Sequence, residues 1–168
     1  MKTTIIAFLV LMASNLASAP GLKAQTKLEK IEATVWLAAH DPEATKIYMA
    51  IIWNESEYNH NAYNLNTDGS YDFGVAQLNS RYWNPDKKYY GVNIRTMRGN
   101  VYAGAKFFVS LINTFPGNIR AAVTAYNCGA GAVMRGMVPA SSKKYADRVL
   151  QMAAKSDIYN KALPVVDR

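Results

Sequence analysis

The chain has 168 residues, half of them hydrophobic, and 19 Lys and Arg against 12 Asp and Glu give a formal net charge of +7. This length favours one domain able to bury about 68–70% of its unfolded surface, and no long polar tract suggests disorder. A basic surface suits an anionic partner such as cell-wall polymer, nucleic acid or lipid headgroups, or serves solubility alone. The longest basic blocks are only Lys87-Lys88 and Lys143-Lys144, too scattered for a nucleic-acid footprint, so no nucleic-acid partner is expected.

The chain opens as a three-part secretory signal: Lys2, an apolar run from Ile5 to Ala13, and the small-residue pattern Ala17-Ser18-Ala19. The apolar run is far shorter than the about 20 residues a spanning helix needs, so residues 1–19 are read as a cleaved signal. Pro20 after that cut hinders cleavage, and Ala24 offers a later end. Loss of Lys2 leaves +6 for a start at Pro20. With no cysteine at the signal's end to carry a lipid, the mature chain is expected to be exported, to the periplasm or beyond, without a membrane anchor.

Residues 25–157 then read as one helical domain. Leu28, Ile31, Val35 and Ala39 fall at three- and four-residue steps, an amphipathic helix. Asp41-Pro42-Glu43 opens a second helix with an N-cap acid, proline at the first position and an acid in the first turn; it runs to about Tyr58. Asn59 to Gly74 is turn-rich, and Asp68-Gly69 predicts a β-ribbon around 65–73. Val75 to Tyr82 is expected as a short helix and the stretch from Asn84 to Gly91 as a loop. Three helices follow: residues 100–115, a segment capped by Asn118 and closed by Gly129, and one capped by Ser141 or Ser142 with Tyr145, Val149 and Met152 inward. Residues 158–168 read as a tail. The fold class is mostly α, an α+β domain with a small ribbon after the second helix.

Cys128 is the only cysteine, so no internal disulfide is expected, and with two histidines a structural zinc site is not. Glu55 raises the main question. It follows Ile51 by four residues and Ile47 by eight, on the same helical face. A half-desolvated carboxylate there has a raised pKa, which suits a general acid near neutral pH. The alternative is a helix-end acid that reaches solvent or an arginine. Gln77 and Asn79, with Tyr63, Tyr71, Trp83, Tyr89 and Tyr90, supply amides and rings of the kind that bind polysaccharide.

The segments "IIWNESEYN", "YDFGVAQLN", "AVTAYNCGAGAV" and "KKYADRVL" together resemble the soluble lytic transglycosylase domain family, related in fold to goose-type lysozyme. The spacing resembles its compact subgroup associated with secretion and conjugation machineries. The family's blocks are a catalytic Glu-Ser, a Gly-x-x-Gln, an Ala-Tyr-Asn-x-Gly and a downstream Tyr. The resemblance implies that Glu55 is the acid/base and Ser56 its neighbour in the groove. It implies that Gln77 lines the groove wall, that Tyr126 and Asn127 bind sugar or stem-peptide groups, and that Tyr145 orients Glu55. Val75-Ala76 stands where the family has bulkier residues, and Cys128 where it has a small one.

The implied reaction is cleavage of the bond between N-acetylmuramic acid and N-acetylglucosamine in peptidoglycan, leaving 1,6-anhydro ends, with no metal or cofactor. One carboxyl suffices because the nucleophile, the C6 hydroxyl, belongs to the substrate. A hydrolytic lysozyme using Asp68 or Asp72 to hold water, and a non-catalytic peptidoglycan-binding protein, are the rival readings. A monomer acting on glycan strands is expected, with a secretion or conjugation apparatus as candidate partner.

Overall fold

The structure, a computed structural model, describes residues 26–155; the expected signal at 1–19 and tail at 158–168 lie outside the described residues. Helix α1 (Lys27–Ala39) starts in a reciprocal cap: Thr26 Oγ1 accepts from the Glu29 amide, and Glu29 accepts from the Thr26 amide. Helix α2 (Pro42–Ser56) starts as its sequence predicts, with the Ala44 amide donating to Asp41 at 2.7 Å. It stops at Glu57 and Tyr58, both left-handed with φ of 51° and 60°.

Every residue of α2 from Ile47 to Ile52 is buried, so the helix is wrapped on all sides. Around it pack α1, helix α3 (Met97–Thr114) and helix α6 (Ala140–Lys155), while helix α4 (Ile119–Cys128) joins α3 to α6. Ile31, Val35, Ile47, Ile51, Val101, Phe108, Val123 and Val149 form the centre of the core. Burying each such side chain contributes about 1.5–3 kcal/mol. A short helix α5 (Ala130–Met134) follows α4.

Strands β1 (Tyr63–Leu65), β2 (Tyr71–Phe73) and β3 (Leu78–Asn79) form an antiparallel sheet, with Asn64, Asp72 and Asn79 opposite one another. The expected ribbon is therefore present, with a third strand where a helix was expected over Val75 to Tyr82. Gln77, at φ 45°, interrupts any helix there, and Asn79 pairs with Asp72 instead. The expected loop from Asn84 to Gly91 contains a fourth strand, β4 (Lys88–Tyr89), paired with β5 (Val92–Asn93) in a second sheet. Tyr90 and Gly91, with φ of 52° and 77°, make the two-residue turn such a ribbon needs.

Two helix starts also differ from expectation. α3 begins three residues early because Thr96 Oγ1 accepts from the Gly99 amide. Ser141 and Ser142 lie inside the first turn of α6, where the Pro139 carbonyl accepts from the Ser142 and Lys143 amides. The architecture is mostly helical with a small antiparallel sheet, the α+β arrangement expected from the sequence. No helix among the described residues is long and apolar enough to cross a membrane.

Candidate active site

A cleft of about 1020 Å³ runs between the three-stranded sheet on one side and the ends of α2 and α4 on the other. Glu55, Asp72, Gln77, Asn79, Trp83, Tyr126 and Asn127 all line it. Its helical wall is dry: α2 carries Glu55 out of the core in its last turn, so the carboxyl enters the cleft over apolar packing. The Tyr145 hydroxyl, on α6 and itself buried, donates to Glu55 Oε1 at 2.6 Å. Burial pushes the Glu55 carboxyl up from 4.5 to about 7; the Tyr145 hydrogen bond pulls it down, and the charge of Asp72 adds to the rise.

The sheet wall is polar. Strand alternation turns Asn64, Asp72 and Asn79 to one face. Asn79 Nδ2 donates to Asp72 Oδ1 at 2.8 Å and Asn66 Nδ2 to Asp72 Oδ2 at 3.2 Å. Ser70 donates to Asp68 Oδ1 at 2.6 Å, and Arg81 pairs with Asp68 at 2.9 Å on the surface.

The segment from Gly74 to Gln77 joins the two walls. Gln77 faces the cleft while its Nε2 donates to the carbonyls of Ala62 and Gly74 at 3.2 and 2.9 Å. Tyr126 closes the floor: its hydroxyl donates to the Ala76 carbonyl at 3.0 Å, and its ring meets Phe107 at 5.6 Å between centroids. Burial first of all holds the Tyr126 and Tyr145 phenols far above their ordinary value, so both stay protonated donors. Asn127 is exposed at the rim beside Cys128, whose thiol donates to the Thr124 carbonyl at 3.4 Å.

The fold thus gathers Glu55, Gln77, Tyr126 and Asn127 along one cleft, with Tyr145 behind Glu55 rather than on the surface. Ser56 does not line this cleft. Its hydroxyl donates to the Val75 carbonyl at 2.8 Å, and the residue lines a smaller hollow with Trp53, Asn54, Glu55 and Glu57. It fastens the acid's helix to the connecting segment. Sequence reasoning considered Asp72 only as a possible water holder and overlooked Asn66 and Phe107. The polar run Asn64, Asn66, Asp68, Ser70, Asp72 was the available signal: Asp68-Gly69 turns the chain back, which brings Asn66, Asp68 and Ser70 beside Asp72. Among the described residues no three His, Cys, Asp or Glu side chains gather as metal ligands.

Residues 38–149 match the family model described as "Transglycosylase SLT domain". Lysozyme C of Takifugu rubripes is 59% identical over 34 residues, 20% of this chain and 24% of that protein. Lysozyme-like protein 6 of Homo sapiens is 31% identical over 90 residues, 54% of this chain and 57% of that protein. The chain therefore spans from about a quarter to somewhat over half the length of these relatives. The family match reaches from the end of α1 into α6 and takes in both walls of the cleft. The chain belongs to the transglycosylase SLT domain family.

Proposed function

We propose that the protein is a peptidoglycan lytic transglycosylase with Glu55 as its acid/base. The carrying observation is the Glu55 carboxyl: half-buried, pushed to about 7, bonded to Tyr145 and open to a long cleft. A carboxylic acid with a pKa near the working pH serves equally as donor and acceptor of a proton. Glu55 gives its proton to the bridging oxygen as the bond from the muramyl C1 to that oxygen breaks. The muramyl C6 hydroxyl then bonds to C1, and its proton returns to Glu55. No water is consumed, and a well-oriented intramolecular hydroxyl acts at an effective concentration of up to about 10⁵–10⁸ M. Gln77, Tyr126 and Asn127 hold the sugars, and Ser56 and Tyr145 hold the acid. Residues 1–19 direct export, the mature chain acts as a monomer, and a wall-spanning secretion or conjugation apparatus is its candidate partner.

A second reading has its own observation. Asp72 lies on the opposite wall of the cleft from Glu55, with both oxygens met by amide donors. Retaining hydrolases use such a pair about 5–5.5 Å apart and inverting ones about 6.5–9.5 Å apart. The mature protein incubated with purified sacculi, followed by weighing of the released muropeptides, separates the two. Anhydro ends, one water lighter than reducing ends, are expected. Reducing ends would establish hydrolysis, and no release at all would leave only glycan binding.

A further inference from the structure

Asn100 does not line the cleft, yet it bonds both the end of β2 and the segment that joins the two walls. It sits in the first turn of α3, fully buried. Its Oδ1 accepts from the Ala76 amide at 2.7 Å, and its Nδ2 donates to the Phe73 and Ile94 carbonyls at 3.2 and 3.4 Å. All three bonds go to backbone, and two of them hold the segment that leaves β2.

That segment, Gly74 to Gln77, belongs to no helix or strand, and its backbone is tied outward by the Gly74 amide to the Ala62 carbonyl at 2.9 Å. Four side chains also hold it: Ser56 on the Val75 carbonyl, Tyr126 on the Ala76 carbonyl, Gln77 back onto Gly74, and Asn100. Of these, Asn100 alone neither lines the cleft nor adjoins Glu55 in sequence. Gly74 is fitted to it: a Cβ there would stand 2.5 Å from the Asn100 amide nitrogen, and φ is +76°. The pair lets the backbone turn as it leaves β2, two residues after Asp72.

We propose that Asn100 is a positioning residue that fixes the separation of the Asp72 and Glu55 walls, and through it the balance between cyclising and hydrolytic products. The inference rests on the reading of Glu55 as the acid. The physical reason is that spacing between carboxyl groups decides whether a water fits between them. A buried side chain that bonds both the end of β2 and the connector sets that spacing more firmly than exposed contacts do.

The test compares wild type with Asn100→Ser and Asn100→Asp, using sacculi digestion and NMR titration of the Glu55 carboxyl. The titration needs no turnover, so it stands even where wild type releases nothing, which would count against the proposed function alone. The groups facing Glu55 are Tyr145, Asp72, Tyr48 and Tyr126, and of these only Asp72 sits on β2, whose last residue Asn100 holds. In the variants Asp72 draws away and water enters, so the Glu55 midpoint falls by about half a unit or more. The ratio of anhydro to reducing ends changes at least about threefold, and kcat falls more than KM rises. A lowered melting temperature with an unchanged Glu55 midpoint and product ratio would show a merely structural asparagine and overturn the proposal. If both variants fail to fold, hydrogen exchange on wild type decides. An Ala76 amide exchanging as slowly as the Val101 amide of α3 supports the clamp, and fast exchange there overturns it.

Discussion

The two walls of the cleft carry one carboxylate each and treat them in opposite ways. Glu55 stands at the end of a helix buried on every side and receives one hydroxyl bond, from Tyr145. Asp72 stands on a three-residue strand and receives two amide bonds, from Asn66 and Asn79. The first environment takes solvation away from the charge; the second replaces solvation with fixed N–H dipoles. In the proposed mechanism these two acids take different work, proton transfer for Glu55 and charge stabilisation for Asp72.

The largest effect is expected from the dry wall. Glu55→Gln keeps the side-chain volume and an oxygen for Tyr145, but removes the transferable proton. Turnover on sacculi should fall by about 10²–10⁴-fold. The same change should stabilise the protein at high pH. Between 4.5 and about 7 the unfolded chain releases a proton that the native carboxyl keeps, so native stability declines as pH rises through that window. The full decline is about 3 kcal/mol. Glu55→Gln should recover up to about that much at alkaline pH in urea titrations, and nothing at about pH 4, where the native acid is already neutral. For wild type, activity in the direction of protonating the bridging oxygen should fall as pH rises through about 7. A variant that clears sacculi at the normal rate would remove Glu55 from the mechanism.

The wet wall should matter less if the nucleophile belongs to the substrate. Asp72→Asn is expected to lower turnover by about 10–100-fold, through lost stabilisation of the developing positive charge. It should also move the alkaline limb of the pH–rate profile downward, because the Asp72 charge is one of the influences holding the Glu55 value up. A loss as large as that of Glu55→Gln, with reducing-end products in wild type, would break the division of labour and make Asp72 a direct participant in hydrolysis.

How much of this contrast could be read from the chain differs between the walls. The helical wall was legible: its core positions recur at helical spacing, Asp41-Pro42 announces α2, and Glu55 follows Ile47 and Ile51 on one face. What periodicity could not supply was that α2 is buried all around, which requires knowing that α1, α3 and α6 surround it. The sheet wall was legible only as a ribbon near Asp68-Gly69. β3 is two residues long and β4 and β5 are no longer, too short for alternation to register. The break that prevents a helix after Val75 lies at Gln77, a residue type with no turn preference, held left-handed by bonds to Ala62 and Gly74. Such bonds are tertiary, so no local rule predicts them. Ser56 follows Glu55 in sequence, so its side chain lies about 100° further round the helix, where its hydroxyl bonds the Val75 carbonyl of the connector, a contact no local rule supplies.

The smallest and most discriminating effect belongs to Tyr145. Phe fills the same buried space, so Tyr145→Phe removes one hydroxyl and little packing; the lost bond to Glu55 should reduce stability by about 1 kcal/mol where the acid needs a donor. Its hydrogen bond favours the charged form of Glu55, so deleting it should raise the Glu55 midpoint and carry the alkaline limb upward, with turnover reduced only about tenfold or less. Asp72→Asn and Tyr145→Phe therefore displace the same limb in opposite directions from opposite sides of one carboxyl. Parallel displacement would mean that both substitutions act through general loosening of the cleft, since admitting water lowers the midpoint whichever wall is altered. Opposed displacement is what two separate electrostatic influences on one dry acid require.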